Sequence, residues 1–210
     1  GLDFNTGTPI PLIDGQINTL EGCASISDYN GDLLFYTDGM SVYTKNHALM
    51  INGSGLLGNS SSTQSAVIVQ KPGSISNYYI FTVDGFTGTG GGLNYSIVDM
   101  SLDGGLGAIN SNKNISLINS TCEKVTAIIH NNGTDFWIIS REENSDVFLS
   151  FLLTSSGLNL IPVYSNAFSF LNNTSSILTK YTPKESSCCR KLFSFKKSLF
   201  SFSLKNAISL

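Results

Sequence analysis

The chain has 210 residues, of which 41% are hydrophobic and 13% charged, with a net charge of −3. That is enough apolar material for one large or two small cored domains, while the low charge and the many Ser, Thr, Asn and Gly residues suit an extracellular or surface β-protein. Residues 1–170 hold 5 Lys/Arg against 14 Asp/Glu and residues 171–210 hold 7 against 1, or −9 and +6, which excludes a uniformly basic nucleic-acid surface on the body.

Residues 1–20 read as an irregular lead-in, with Pro9 and Pro11 and turn signals at Gly15 and Asn18. Strands are expected at 24–27 and 33–38, folded into a hairpin across Tyr29-Asn30-Gly31, because Asn-Gly tolerates the positive φ of a tight turn. Ser41 to Tyr43 supply a third short strand, and the Gly- and Ser-rich stretch 46–65 reads as a long joining loop. A second hairpin is expected from 66–70 and 78–83, followed by a Gly-rich loop at 85–92, an outer strand at 93–100 and a further strand at 113–118. The third unit comprises 126–130, 135–140, 146–153 and a last strand over 160–164.

The three hairpins share a register. Ala24 precedes Gly31, Ala66 precedes Gly73 and Thr126 precedes Gly133, each by seven positions. The starts lie 42 and 60 residues apart, bracketing the ~40–50 residues of a propeller blade. The expected fold is therefore all-β, a partial β-propeller of about three to four antiparallel WD40/YVTN/kelch-like blades over residues 1–170. Such a count does not readily close a ring, so the remaining blades are expected to be missing from this chain. Residues 171–210, basic and built from Ser, Phe, Leu, Lys and Cys, are expected to be a poorly packed tail, although the alternation around Phe193 and Phe195 also fits an edge strand. No apolar run approaches the ~18 residues of a membrane span, and no export signal is present at Gly1.

The stretches GLDFNTGTP, NTLEGCASISDYNGDLLFYTDGMSVY, NGSGLLGNSSSTQSAVIVQKPG, YYIFTVDG, LNYSIVDMSLDGGLGAI and EKVTAIIHNNGTDFWII carry a likeness over residues 1 to about 166. They resemble the N-terminal propeller-like region of large secreted Bacteroidetes surface proteins that end in a gliding-motility-associated C-terminal domain, the sorting signal of type IX secretion. The resemblance implies a secreted or outer-membrane-associated protein whose propeller serves adhesion or interaction without a catalytic site. A premature stop or frame change near 167–175 would account for the tail that follows, making the chain a fragment. The alternative is the remnant of a glycoside-acting propeller hydrolase whose catalytic residues lay on missing blades.

The chemistry-bearing residues are sparse. Asp28, Asn30 and Asp32 share the 1, 3, 5 spacing of a calcium loop, but the glycine falls at position 4 and Gly39 stands at position 12 in place of a bidentate Glu. They are read as a turn, with calcium binding at best weak and no other cofactor. Glu21 and Glu123 recur just ahead of their hairpins, with Gln64 near the same place in the second, and are candidates for a binding face or for hydrogen bonds between units. Tyr29, Tyr43 and Phe86 are candidate stacking platforms for a surface glycan or contacts for a protein partner. His47 and His130 are the only histidines and lack ligand spacing, and no G-x-S-x-G elbow is present, so the chain is not read as an enzyme. Ser101-x-Asp103-x-Gly105 matches half of an Asp-box and is read as a turn. Cys23 and Cys122 are read as buried or half-buried thiols without a disulfide, and adjacent Cys188 and Cys189 as unpaired with each other.

Overall fold

A computed structural model describes residues 1–85 and 91–166. The lead-in forms a two-stranded ribbon, β1 (Leu2–Asp3) and β2 (Ile10–Pro11), and is otherwise irregular. The first hairpin joins β3 (Ala24–Ser27) to β4 (Leu33–Thr37), and the meander continues through β5 (Ser41–Thr44) and β6 (Leu49–Ser54). The second hairpin joins β7 (Ala66–Gln70) to β8 (Asn77–Val83), and β9 (Leu93–Asp99) pairs antiparallel with β8. A single 3-10 turn at Asp103–Gly105, where the half Asp-box lies, leads into β10 (Ala108–Ile109). Then come β11 (Ile115–Ile118), β12 (Thr121–Ile129), β13 (Phe136–Glu142), β14 (Val147–Thr154), β15 (Gly157–Leu158) and β16 (Val163–Asn166).

These strands do not form separate blades. The two-residue strand β10 pairs antiparallel with β9 and parallel with β6, through Ala108 opposite Ile51, and so joins the first two units into one continuous sheet. The path β3-β4-β5-β6-β10-β9-β8-β7 has eight strands, with β11 added on the edge of β9 that also carries β10. Its ends nearly meet: Ala24 and Ile26 of β3 pack into the same core as Ala66 and Ile68 of β7, giving a near-closed barrel. A polar seam supports this closure. Ser65 Oγ donates to the Asp38 carbonyl at 2.6 Å, and Gly39, at φ 87°, lies so close that a Cβ there would sit 2.0 Å from Ser65 Oγ.

The all-β expectation stands, while the partial propeller, and with it the propeller region of secreted gliding-motility-associated surface proteins as a parent, is overturned by this continuous sheet. The reading as a propeller interaction module or as a propeller hydrolase remnant falls with it. The stretch 46–65, expected to be a loop, contains β6, one of the two strands that β10 bridges. The tail from 171 onward, with Cys188, Cys189, Phe193 and Phe195, lies outside the described residues.

Alternation along β8 shows how the layers are built. Tyr78 and Ile80 point into the barrel interior with Phe35, Val42, Met50, Leu56, Val98 and Ile109. Tyr79, Phe81 and Val83 point outward, where they pack with Leu93, Tyr95, Val125, Ile138, Leu149, Phe151 and Leu153. That second core holds the sheet β12-β13-β14 against the barrel, with β15 and β16 sharing the far edge of β14. A strand with period-two side chains buried on both faces must be apolar or hydrogen-bonded throughout, and every residue of β8 after Asn77 is buried.

Candidate binding surface

The outward face of β3–β6 carries a cross-strand row, Ser25 opposite Tyr36, Tyr36 opposite Tyr43 and Tyr43 opposite Leu49. Facing strands bring such side chains within contact distance, and the Tyr36 and Tyr43 rings stack at 5.4 Å between centroids with 20° between planes. Ser25 and Leu49 at the ends of the row are exposed, Tyr43 is half-buried and Tyr36 is buried.

His47 closes the row at the turn between β5 and β6. Thr44 N–H donates to the Ala48 carbonyl and His47 N–H to the Thr44 carbonyl, a tight turn that places His47 at φ 62°. Its ring lies 5.7 Å from that of Tyr36 and its Nδ1 is 3.0 Å from Tyr36 Oη. Two groups of the lead-in complete the arrangement. Gln16 N–H donates to Tyr36 Oη at 3.1 Å, and Asp14 Oδ2 lies 3.1 Å from His47 Nε2. An ionised carboxylate only accepts, so a neutral imidazole here carries its proton on Nε2 toward Asp14, and Nδ1 accepts from the Tyr36 hydroxyl, which itself accepts from the Gln16 amide. The chain of bonds runs from Gln16 to Tyr36 to His47 to Asp14.

A hydroxyl on a histidine on a carboxylate is also the order of an activated nucleophile. Here the hydroxyl is buried and its other side is taken by the Gln16 amide, so it has no open approach to a reacting atom. The His47–Asp14 contact is mostly exposed on the acid side, at 25% and 62% side-chain exposure, and such pairs contribute about 0–1 kcal/mol.

The other residues singled out in the sequence are scattered. Asp28 Oδ1 accepts from the Asn30 and Asp32 amides at 2.9 and 3.0 Å, which makes Asp28 an Asx-turn acceptor and leaves the trio serving the hairpin. Among the described residues no three His, Cys, Asp or Glu side chains gather to hold a metal. Tyr29 is 96% exposed at the tip of that turn, and Phe86 lies outside the described residues. Glu21 and Glu123 flank one segment, residues 59–65, from different sides. Glu21 N–H donates to the Ser60 carbonyl, while the Glu123 carboxylate accepts from Thr63 Oγ1 at 3.2 Å and its carbonyl from Gln64 N–H. His130 Nδ1 accepts from Asn132 N–H in its own hairpin turn and its ring lies beside Trp137. Cys23 is exposed, contrary to expectation, and Cys122 is buried, with no disulfide between them.

A depression of about 170 Å³ is lined by Asp84, Gly92, Asn119, Ser120 and Glu143 among others. Ligand pockets usually span ~300–1,000 Å³. Its carboxylates are already engaged, Asp84 by Asn59 Nδ2 and the Gly85 and Gly91 amides, and Glu143 by Ser120 Oγ at 2.6 Å.

No family model, curated protein or solved structure matches this chain. The functional reading therefore rests on the site itself.

Proposed function

We propose that the chain is a non-catalytic binding domain that takes a glycan on the outward face of β3–β6. The observation that carries this reading is the stacked Tyr36–Tyr43 pair, set in a row with exposed Ser25 and beside the His47 imidazole. Aromatic rings offer an apolar, polarisable surface to the C–H face of a sugar, while the exposed Ser25 hydroxyl beside them can hydrogen-bond its rim. The absence of chemistry in the reading is supported by the Tyr36 hydroxyl, which is spent on structure at both its lone pair and its proton. The low charge and abundant small polar residues support an extracellular setting for such a domain.

The test is a panel of neutral oligosaccharides screened against the chain, followed by titration of any hit against Tyr43→Ala. The expected result is saturable binding that weakens at least tenfold in the variant with unchanged circular dichroism. Binding that is indifferent to Tyr43, or none across the panel, would overturn the reading. A second reading, a protein partner, is favoured by β16, whose four residues are all exposed and which pairs only with β14 among the described strands. Edge strands of this kind accept extended segments.

A further inference from the structure

The lead-in lies over the Tyr36 end of the aromatic row, yet it is held there in an unusual way. It is rich in large apolar residues, and none of them enters either core: Leu2, Phe4, Ile10, Leu12, Ile13 and Leu20 are 40–95% exposed, and Ile17 alone is half-buried. Burial, the dominant force elsewhere in the molecule, therefore does little to keep this segment in place. Its attachments are polar pegs. The Asn5 side chain reaches the Gly31 carbonyl at 3.4 Å, Asp14 reaches His47, and the Gln16 amide reaches Tyr36. Only at 19–22 does it become firmly joined, where Thr19 Oγ1 and the Leu20 and Glu21 amides all donate to the Ser60 carbonyl and Gly22 N–H donates to Ser62.

Two of those pegs occupy the groups a ligand would use. The Gln16 amide sits on the Tyr36 hydroxyl and the Asp14 carboxylate sits on His47 Nε2, so the lead-in presents to this face a donor and an acceptor of the kind a sugar's hydroxyls present. We propose that residues 1–18 are a removable strap, hinged at 19–22, that acts as a built-in competitor for the Tyr36–Tyr43 face. Closed, it fills the polar rim; open, it exposes the Tyr36 hydroxyl and His47 Nε2 to a polyhydroxylated ligand. The strap rests on the glycan reading for the identity of the ligand, whereas its opening is a property of the apo chain.

The experiment compares the full chain with the double variant Asn5→Ala/Asp14→Ala, which removes two pegs and touches neither Tyr36 nor Tyr43. Hydrogen exchange at the Gln16 amide reads the strap. Protection in the parent chain that falls at least tenfold in the double variant is expected, with the amides of β4 and β5 unaffected. Affinity for the neutral oligosaccharide identified by the panel, read in parallel, is expected to rise several-fold in the double variant and to remain dependent on Tyr43. A Gln16 amide that exchanges freely in the parent chain would overturn the strap. So would a double variant that loosens Gln16 while binding the sugar no better, since the segment would then not compete. If Gln16 responds as expected but no sugar binds either form, the competitor role falls together with the glycan reading, and the fault is placed on the ligand rather than on the hinge.

Discussion

Two clusters of aromatic side chains lie on neighbouring parts of this molecule and are put to opposite uses. On the outer side of β8 and β9, Tyr79, Phe81 and Tyr95 pack ring to ring at 5.4–6.2 Å and are sealed by the sheet β12-β13-β14. On the outer side of β4 and β5, Tyr36 and Tyr43 stack at a similar 5.4 Å, and there the layer over the sheet is the irregular lead-in, whose Gln16 amide reaches the Tyr36 hydroxyl. The residue types and the cross-strand spacing are alike. What differs is the third layer: a sheet with its own apolar face turns the aromatics into core, while a polar strap buries Tyr36 and leaves Tyr43 half-buried.

Truncation should separate the two clusters most widely. Phe81 is fully buried, so Phe81→Ala is expected to cost about 3–5 kcal/mol in urea unfolding, whereas Tyr43→Ala should cost about 1 kcal/mol or less, the range of ordinary surface changes. Equal losses at the two positions would show that the outer face is core after all.

Alkali should sharpen the contrast next. Burial pushes the phenol groups of Tyr79 and Tyr95, and of Tyr78 in the barrel interior, above the ordinary tyrosine value; for Tyr79 the neighbouring Tyr95 adds to the rise and a hydrogen bond with the Leu158 backbone opposes it. The folded chain keeps these groups neutral after the unfolded chain begins to ionise. Their contribution to stability is therefore complete below about pH 10, the unperturbed value, and is lost as pH rises through their raised values in the folded state. Part of the phenolate absorbance should then appear only together with the loss of the far-ultraviolet β signal.

A smaller effect is expected at the strap's contact with the sheet. Tyr36→Phe keeps the ring stack and removes a hydroxyl bonded to both Gln16 and His47, for an expected loss of about 0.5–1.5 kcal/mol and faster exchange at the Gln16 amide. An unchanged Gln16 amide would mean that the strap is held by something other than Tyr36. Smallest of all is Asp28→Asn. The amide oxygen can still accept from Asn30 and Asp32, so stability should move by less than about 0.5 kcal/mol, and calorimetric titration of the parent chain should show no calcium site tighter than about 10⁻⁴ M. Micromolar calcium binding lost in this variant would make the first turn a metal site.

The hairpins were legible because their signal is local. Gly31, Gly73 and Gly133 stand at φ 90°, 71° and 76°, each in the turn that its sequence places seven residues after a small strand residue. That a β-rich chain must follow from three such units also needed no tertiary information. Whether the units stay separate or merge was not legible, because the deciding element is β10, two residues long and without any period of its own. The strand β6 was hidden similarly: Asn52, at φ 58°, and Gly53 interrupt its alternation, and its burial does not follow period two.

The same division holds at the candidate surface. Residue type alone marked Tyr43 as a stacking candidate and the Asp28 segment as a turn, since side-chain chemistry and turn propensity act over a few residues. The assembly of Asp14, Gln16, Tyr36, Tyr43 and His47 was decided only by tertiary structure. Strand pairing sets Tyr36 beside Tyr43, a hairpin turn brings His47 back over the ring, and the path of the lead-in delivers Asp14 and Gln16 from outside the sheet. Local sequence determines which way a strand turns, but which face is left for a ligand depends on what packs against it from far along the chain.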